Sequence, residues 1–469
     1  VMTRSVGLEN DMKNINTLGG ALLIAISAAA SAPLAVAAAN ANPPAAPPPT
    51  ASVPVIPHTD TLAGMFRDGK LLLHLRLRYE NADDDARREA VDVGTLRTAL
   101  GFRTASFHGL FGMAEVEDVL AAGTYDDGGA NRRMAPRYSA VVDPEGMELN
   151  QAYVGIDAIP HTVIQAGRQL ILDRDAPFHR FVGNVLWRQN WQTYDAVGVF
   201  NNSLPDTAVR FWYTWNLNRI FGEGNPTRGF DDEGLNGYLG NVVYTGLPFG
   251  RLELYAYLLD FERSVVPAIR SFYPSTQTYG ARFDGKFALN PKFDVLYIAE
   301  GAWQGDFSHN PTGNIDQPFL WGMLGGSYKV GGIVQSVTMK ASVEFLGGDG
   351  GANRFTTPLA TGHAFQGWAD RFLNTPGDGI EDVYLTFQAV VLGANFMIEH
   401  HWFDADNGGY GYGHELDVQL TKTFLTKYTA GIKYADYDAD QNARNIARNS
   451  GSGQAFDLRK VWVWLEYRY

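Results

Sequence analysis

The side chains best placed to do chemistry in this sequence are arginines, which recur at alternate positions of apolar segments. Arg76 and Arg78 alternate with leucines, and Arg97 and Arg103 lie in a second segment. A guanidinium presents a rigid fork of N–H donors that matches a carboxylate or neighbouring hydroxyl groups. We therefore expect these side chains to guide an anionic or hydroxyl-rich solute.

Further candidates lie at alternate positions of other apolar segments, or in two long segments that lack this alternation. Acids that face cations across a pore would create a transverse field acting on a passing solute. The candidate pore-lining and solute-binding residues are Arg76, Arg78, Arg97, Arg103, Arg168, Arg174, Arg188, Arg210, Arg282, Lys340, Glu300, Glu344 and Asp370.

Motifs for catalysis or metal binding do not stand out. The chain has no cysteine, which excludes a thiolate nucleophile, a disulfide framework and a cysteine-based zinc site. Asp404-x-Asp406 and Asp436-x-Asp438 have calcium-ligand spacing but lack the distal Glu of a full calcium loop. We expect no enzyme, no cofactor and no metal site, although a Ser/His pair assembled from distant strands stays open as an alternative.

The segments that carry the arginines alternate with period two. From Leu71 to Glu80, leucines and a tyrosine occupy odd positions, whereas His74, Arg76 and Arg78 occupy even ones. One apolar and one charged face fit a strand between lipid and a wet interior. The pattern recurs at 209–217, where we place Leu217 on the lipid face, and at 279–287, 293–300, 337–345, 415–420 and 428–434.

We therefore predict an all-β fold, a transmembrane up-and-down antiparallel β-barrel of about 18 strands. Short links alternate with long polar ones, as in barrels with tight periplasmic turns and long outer loops. Val461, Val463 and Leu465 alternate with Trp462 and Trp464 before the final Tyr469, which is typical of a barrel-closing strand. A soluble sandwich or propeller is the alternative.

The N-terminal part divides into two segments before the barrel. Residues 1–41 contain a positively charged start, an apolar run and a stretch of small residues, which predicts a signal peptide. We expect this peptide to begin at Met12, so that the residues before it do not belong to it. A membrane-anchoring helix is the alternative. Residues 42–70 are a Pro/Ala-rich periplasmic spacer and lead-in, and residues 71–469 form the barrel. This organisation predicts a location in the bacterial outer membrane.

Two long segments, 170–193 and 346–379, are too apolar for simple surface loops. We expect both to fold into the barrel and narrow the pore. The alternative for their arginines is that they pair with acids such as Asp173 and only brace the loop.

Several phrases of the barrel region are specific enough to suggest a family. They are LRLRYE (75–80), TLRTALGFRT (95–104), DPEGMELNQAYVG (143–155), FVGNVLWRQNWQTYDAV (181–197), LGGDGG (346–351) and HAFQGWADRFL (363–373). These phrases resemble the alginate-export family of outer-membrane barrels. The resemblance implies a monomeric barrel, lumen arginines that contact an anionic or polar solute, and passive transport.

Resemblance to the founding exporter of that family also implies a strongly positive pore and partner proteins that synthesise the polymer. This chain departs from that pattern, because its net charge is −13 and Glu300 and Glu344 accompany the arginines. The same negative charge argues against a nucleic-acid partner.

The sequence favours a passive outer-membrane channel for an anionic or hydroxyl-rich solute: a sugar acid, oligosaccharide or polysaccharide. A dedicated alginate or exopolysaccharide exporter is the first alternative, and a barrel enzyme or adhesin is the second. The expected partners are outer-membrane lipid and lipopolysaccharide, the solute, and the barrel assembly machinery, which would read the C-terminal strand.

Overall fold

The structure is a computed structural model that describes residues 54–130, 136–174, 180–223, 225, 232–262, 274–308, 310, 314–351, 353–445 and 453–469. The predicted signal peptide, residues 1–41, and residues 42–53 of the predicted spacer lie outside this part of the chain. Both therefore stay predictions.

Eighteen long strands form one antiparallel sheet that closes on itself, because the last strand pairs with the first through Tyr79 and Val463. The predicted up-and-down β-barrel is confirmed. The strands are β1 Lys70–Asp84, β2 Val91–Arg103, β3 Leu110–Tyr125, β4 Gly146–Ile156, β5 Thr162–Gln169, β6 Thr193–Asn201, β7 Thr207–Asn218, β8 Asp232–Leu247, β9 Gly250–Phe261, β10 Thr276–Asn290, β11 Phe293–Asp306, β12 Asp316–Gly331, β13 Val334–Leu346, β14 Ile380–Val391, β15 Ala394–Asp404, β16 Gly411–Phe424, β17 Tyr428–Ala439 and β18 Leu458–Arg468.

The two faces of the wall differ as the period-two pattern predicts. In β1, Leu71 and Leu77 are exposed on the outer face, while Arg76 and Arg78 are buried in the interior. At one end of the barrel neighbouring strands are joined by tight turns, such as Gly332-Ile333 between β12 and β13. The other end carries the long connections. A closed barrel with an apolar outer face is a protein of the bacterial outer membrane.

The helices are short and lie outside the wall. They are α1 Leu62–Arg67, α2 Asp127–Ala130 and α3 Gln441–Asn445, and 3₁₀ turns span Gly362–Ala364 and Gly453–Ala455. None of the helices in the described segments is long and apolar enough to cross a membrane. Before α1, the two-residue strand His58–Thr59 pairs in parallel with Ser106–Phe107.

One predicted face is wrong at the end of β7. Thr214 lies opposite Ala196 and Asn216 lies opposite Asp195, so Trp215 is an extra residue without a cross-strand partner. Such a bulge inverts the alternation beyond it. Leu217 is therefore fully buried in the interior apolar cluster rather than on the lipid face.

Candidate functional site

The described residues of two long connections lie inside the barrel. We call residues 170–192, between β5 and β6, loop L3, and residues 347–379, between β13 and β14, loop L7. The loops contact each other directly: the Gly183 N–H donates to the Leu359 carbonyl at 2.8 Å, and the Val185 N–H donates to Thr361 Oγ1 at 3.1 Å. Both segments therefore fold inward, as the sequence predicts.

L3 meets two arginines of β1 through its backbone carbonyl groups. Arg76 donates from Nη1 to the Leu186 carbonyl at 2.9 Å and from Nη2 to the Arg188 carbonyl. Arg78 donates to the Trp187 carbonyl and forms an ion pair with Asp143. The carbonyl oxygens at the tip of L3 thus accept hydrogen bonds from arginines of the barrel wall.

Arg97 of β2 braces the same loop. Its Nη2 lies 2.6 Å from Glu117 Oε2, and its guanidinium lies over the Trp191 ring at 3.7 Å from the centroid. The Trp191 N–H in turn donates to Glu117 Oε1 at 3.0 Å. Arg97 is fully buried, so in this structure it holds L3 against the wall instead of facing open solvent.

Near its start, L3 is anchored on a different part of the wall. Arg174 places its Nε 3.1 Å from Glu253 of β9 and its Nη2 2.9 Å from Glu300 of β11. Because these strands lie several positions around the barrel from β1, L3 crosses the interior and is held by charged groups on both sides.

The acids that receive Arg174 belong to a chain of ion pairs along the wall. Arg282 lies 2.8 Å from Glu300 and 2.9 Å from Asp284, and Arg251 Nε lies 3.0 Å from Asp284. The Nη groups of Arg251 make no hydrogen bond to any described residue. This series of ion pairs therefore ends at Arg251, whose Nη donors are unused.

Arg210 of β7 also keeps unused donor capacity. Its Nη1 donates to the Asp173 carbonyl at 2.6 Å and lies 3.2 Å from Asp173 Oδ1. Its Nη2 has no hydrogen-bond partner within the described part of the chain. Burial raises the pKa of Asp173, with the Arg210 charge opposing that shift.

L3 and L7 meet around Asp370, which pairs with three charged or polar groups. Arg188 of L3 reaches Asp370 at 3.2 Å and Glu80 at 3.0 Å. Lys460 of β18 lies 2.7 Å from Asp370. Burial alone would lower the pKa of Arg188, but the acids Glu80, Asp143 and Asp370 raise it above its ordinary value.

His363 completes this junction. Burial, helped by the positive charges of Lys433 and Arg188 and opposed by Asp370, lowers its pKa to about 3, so the ring is neutral at physiological pH. A neutral ring can donate from Nδ1 to Asp370, 2.7 Å away, and accept at Nε2 from Lys433, 2.8 Å away. The Lys433 ammonium also lies over Trp368, and Trp187 stacks on His363.

L7 meets an acidic part of the wall through its backbone N–H groups. The Ala369 N–H donates to Glu415 Oε1 at 2.6 Å, and the Trp368 N–H donates to Asp417 Oδ2 at 3.1 Å. Both carboxylates belong to β16 and are fully buried. At these two contacts L7 presents donors, whereas L3 presents acceptors to Arg76 and Arg78 and a donor, the Trp191 N–H, to Glu117.

Three further sequence candidates lie elsewhere in the interior. Glu344 pairs with Arg180 of L3 at 2.5 Å. Lys340 lies on the inward face of β13, half-buried, and Arg103 lies at the periplasmic end of β2. Neither Lys340 nor Arg103 forms a hydrogen bond or ion pair with any residue that the structure describes.

Arg168 is not in the interior, contrary to our expectation. Gln165 and Gln169 of β5 are buried toward the interior, so the intervening Arg168 takes the opposite face. There it pairs with Asp195 at 2.9 Å and with the exposed Glu223 at 3.2 Å. The strict alternation of the strand decides this placement, because β5 extends through residue 169.

Several interior charged residues were missing from the sequence candidates. Lys433 and Lys460 alternate with apolar residues in β17 and β18, so the period-two pattern contained the signal for both. Arg180, His363 and Arg371 lie in L3 and L7, where no periodicity identifies them. Their roles follow from contacts with strands far away in sequence.

Fold and site together define an outer-membrane β-barrel with two loops packed in its interior. OpdK of Pseudomonas aeruginosa, in a structure with vanillate, has 15% sequence identity, a TM-score of 0.61, and coverage of 87% of this chain and 100% of its own. OccAB4 of Acinetobacter baumannii has 12% identity, a TM-score of 0.62, and coverage of 86% and 98%. OccK9 (OpdG) of Pseudomonas aeruginosa has 14% identity, a TM-score of 0.62, and coverage of 87% and 100%. At these identities the likeness establishes the fold, and no family model and no curated protein matches the sequence.

Proposed function

We propose that this protein is a passive channel that lets a small anionic solute, a carboxylate, cross the outer membrane between L3, L7 and the wall. The observation that carries the proposal is the set of interior cations with unused donors: Arg210, Arg251, Lys340 and Arg103. A carboxylate that sheds part of its water needs such donors along its path.

One neighbouring structure supports the same solute class. OpdK has been solved with vanillate, which is an aromatic carboxylate. The acids between the arginines, such as Glu253 and Glu300, would repel a solute that touched them. We therefore infer that a short carboxylate or sugar acid is recognised at separate points of the path.

A dedicated alginate exporter is the second candidate, supported by the phrases of L3 and L7 that resemble that family. A long polyanion needs a continuous positive surface. Here Glu253, Glu300 and Asp284 interrupt the arginines of β9–β11. This alternation favours the small-solute channel over polymer export.

We assign the protein no catalytic role, and we propose that it acts as a monomer. The C-terminal strand fits recognition by the barrel assembly machinery, since β18 is the closing strand and the Tyr469 N–H donates to the Leu73 carbonyl at 2.9 Å. Lipid and lipopolysaccharide would surround the outer face.

Purified protein in planar bilayers tests the channel directly. We expect conductance steps and a reversal potential that indicates anion preference. The Arg251→Gln variant should reduce carboxylate flux into proteoliposomes about tenfold, because a charge-assisted hydrogen bond contributes about 1.5–3 kcal/mol. Arg168→Gln, which removes a guanidinium from the outer face, is the matched control.

Absence of conductance would refute the channel and favour a barrel whose interior is sealed, such as an adhesin. Cation preference would refute the anionic solute. Uptake of oligomannuronate with no uptake of short sugar acids would favour the exporter.

A further inference from the structure

Helix α1 presents an apolar face at the periplasmic rim of the barrel. Thr61 caps the helix, with its Oγ1 accepting from the Gly64 N–H at 3.0 Å. Leu62 and Phe66 are four residues apart and so share one helical face. Both are 63% exposed.

This face continues the lipid-facing surface of the barrel. The Phe66 ring stacks on Phe102 of β2, with centroids 6.4 Å apart and planes 10° apart. Phe102 alternates with the buried, inward-facing Gly101 and shares the outer face of β2 with Leu100, which is exposed. The Met65 carbonyl accepts from the Ala105 N–H at 2.9 Å and fixes α1 against the rim.

The chain just before α1 is held inside the barrel mouth. Ile56 is buried and packs with Phe111 and Val163, two inward-facing residues of β3 and β5. The pairing of His58–Thr59 with Ser106–Phe107 then carries the chain across the rim. Residues 56–67 therefore pass from the interior to the outer face and fix the position of α1.

We propose that α1 is a membrane-interface anchor whose Leu62 and Phe66 insert among the phospholipids of the periplasmic leaflet. The occupant of this face is lipid, because the face is continuous with a surface that lipid already covers. Charged residues flank the helix: Asp60 precedes it, and Arg67 and Asp68 pair with each other at 2.8 Å at its end. Charges at both ends and apolar side chains between them match the boundary between headgroups and acyl chains.

The absence of native cysteine makes a depth measurement straightforward. The Leu62→Cys variant is labelled with a nitroxide at its single cysteine. The labelled protein is then reconstituted into vesicles of phosphatidylethanolamine and phosphatidylglycerol. Collision rates with oxygen, which partitions into lipid, and with a water-soluble nickel chelate report the environment. Leu77→Cys in the middle of the lipid-facing surface and Val55→Cys, where Val55 is 83% exposed, serve as references.

We expect the Leu62 label to favour oxygen over nickel, with a value between those of the two references. Phe66→Cys should give the same result, but it removes the ring that stacks on Phe102. Leu62→Cys keeps that stack and is therefore the deciding variant.

Two outcomes would overturn the proposal. A label at 62 that is as accessible to nickel as the label at 55 would show that α1 lies in water. A label shielded from both reagents would show that protein, either a second copy or another chain, covers the face. Neither result depends on which solute the channel carries.

Discussion

The tip of L3, residues 186–188, and residues 368–369 of L7 contact the barrel wall in opposite chemical senses. L3 directs carbonyl oxygens at Arg76 and Arg78 of β1, whereas L7 directs N–H groups at Glu415 and Asp417 of β16. Each loop buries backbone polar groups, which need partners inside a protein. At these contacts, positive side chains of the wall therefore meet carbonyl oxygens, and negative side chains meet N–H groups.

This difference has a consequence for the electric field inside the barrel. Among the described residues, Arg76 donates hydrogen bonds to neutral groups of L3 alone, such as Gln189 Oε1 at 2.8 Å. Glu415 accepts from a neutral backbone amide of L7. Neutral partners satisfy these hydrogen bonds without forming an ion pair, so we expect Arg76 to add positive potential beside L3 and Glu415 to add negative potential beside L7.

The largest effect should come from the L3 side. Arg78→Gln removes the closer ion-pair partner of the buried Asp143 and leaves Arg188 at 3.9 Å, so we expect the free energy of unfolding to fall by about 3 kcal/mol. Arg76→Gln should cost less, because Arg76 bonds to neutral groups. Urea unfolding in detergent measures both, and equal losses for the two variants would contradict the difference between an arginine with a charged partner and one with neutral partners.

The junction of the loops should respond to pH through His363. An unfolded chain protonates this histidine near pH 6.5, whereas burial lowers its pKa in the folded protein to about 3. Between these values the unfolded state binds a proton that the folded state does not. The free energy of unfolding should therefore fall as pH falls from about 6.5 toward 3, by up to about 1.4 kcal/mol per pH unit.

The groups that face His363 are Asp370, Lys433 and Arg188, and carboxylates elsewhere also titrate in this range. The matched comparison is His363→Gln, which should show a smaller slope than the unsubstituted protein over the same pH series. Identical slopes for the two proteins would mean that His363 is not held neutral at the junction.

The L7 side should show a smaller effect on stability and a clear effect on selectivity. Glu415→Gln keeps an acceptor for the Ala369 N–H and removes one negative charge, so we expect a loss of at most about 1 kcal/mol. The reversal potential in a salt gradient should shift toward anion preference. An unchanged potential would show that this carboxylate does not contribute to the field in the pore.

The smallest effect should come from outside the interior. Arg168→Gln removes a partly exposed ion pair with Asp195, so we expect less than about 1 kcal/mol and an unchanged reversal potential. A change in selectivity comparable with that of Glu415→Gln would place Arg168 on the solute path and contradict its outward position.

Much of the fold could be predicted because its determinants are local. The alternation from Leu71 to Glu80 sets both faces of β1, since successive side chains of a strand point to opposite sides. The apolar character of 170–193 and 346–379 predicted that these loops fold inward. The inward positions of Arg76, Arg78 and Arg282 follow from the same alternation.

The sequence by itself therefore determined the barrel, the inward set of most strands and the identity of the two interior loops. Only the tertiary structure decided that a bulge at Trp215 turns Leu217 inward, that Arg168 faces outward, and which group each arginine contacts. The physical reason is how far apart in sequence the interacting residues lie. Alternation is fixed by neighbouring residues, whereas the pairing of Arg76 with Gln189 joins groups 113 residues apart and depends on how the closed barrel brings L3 across its interior.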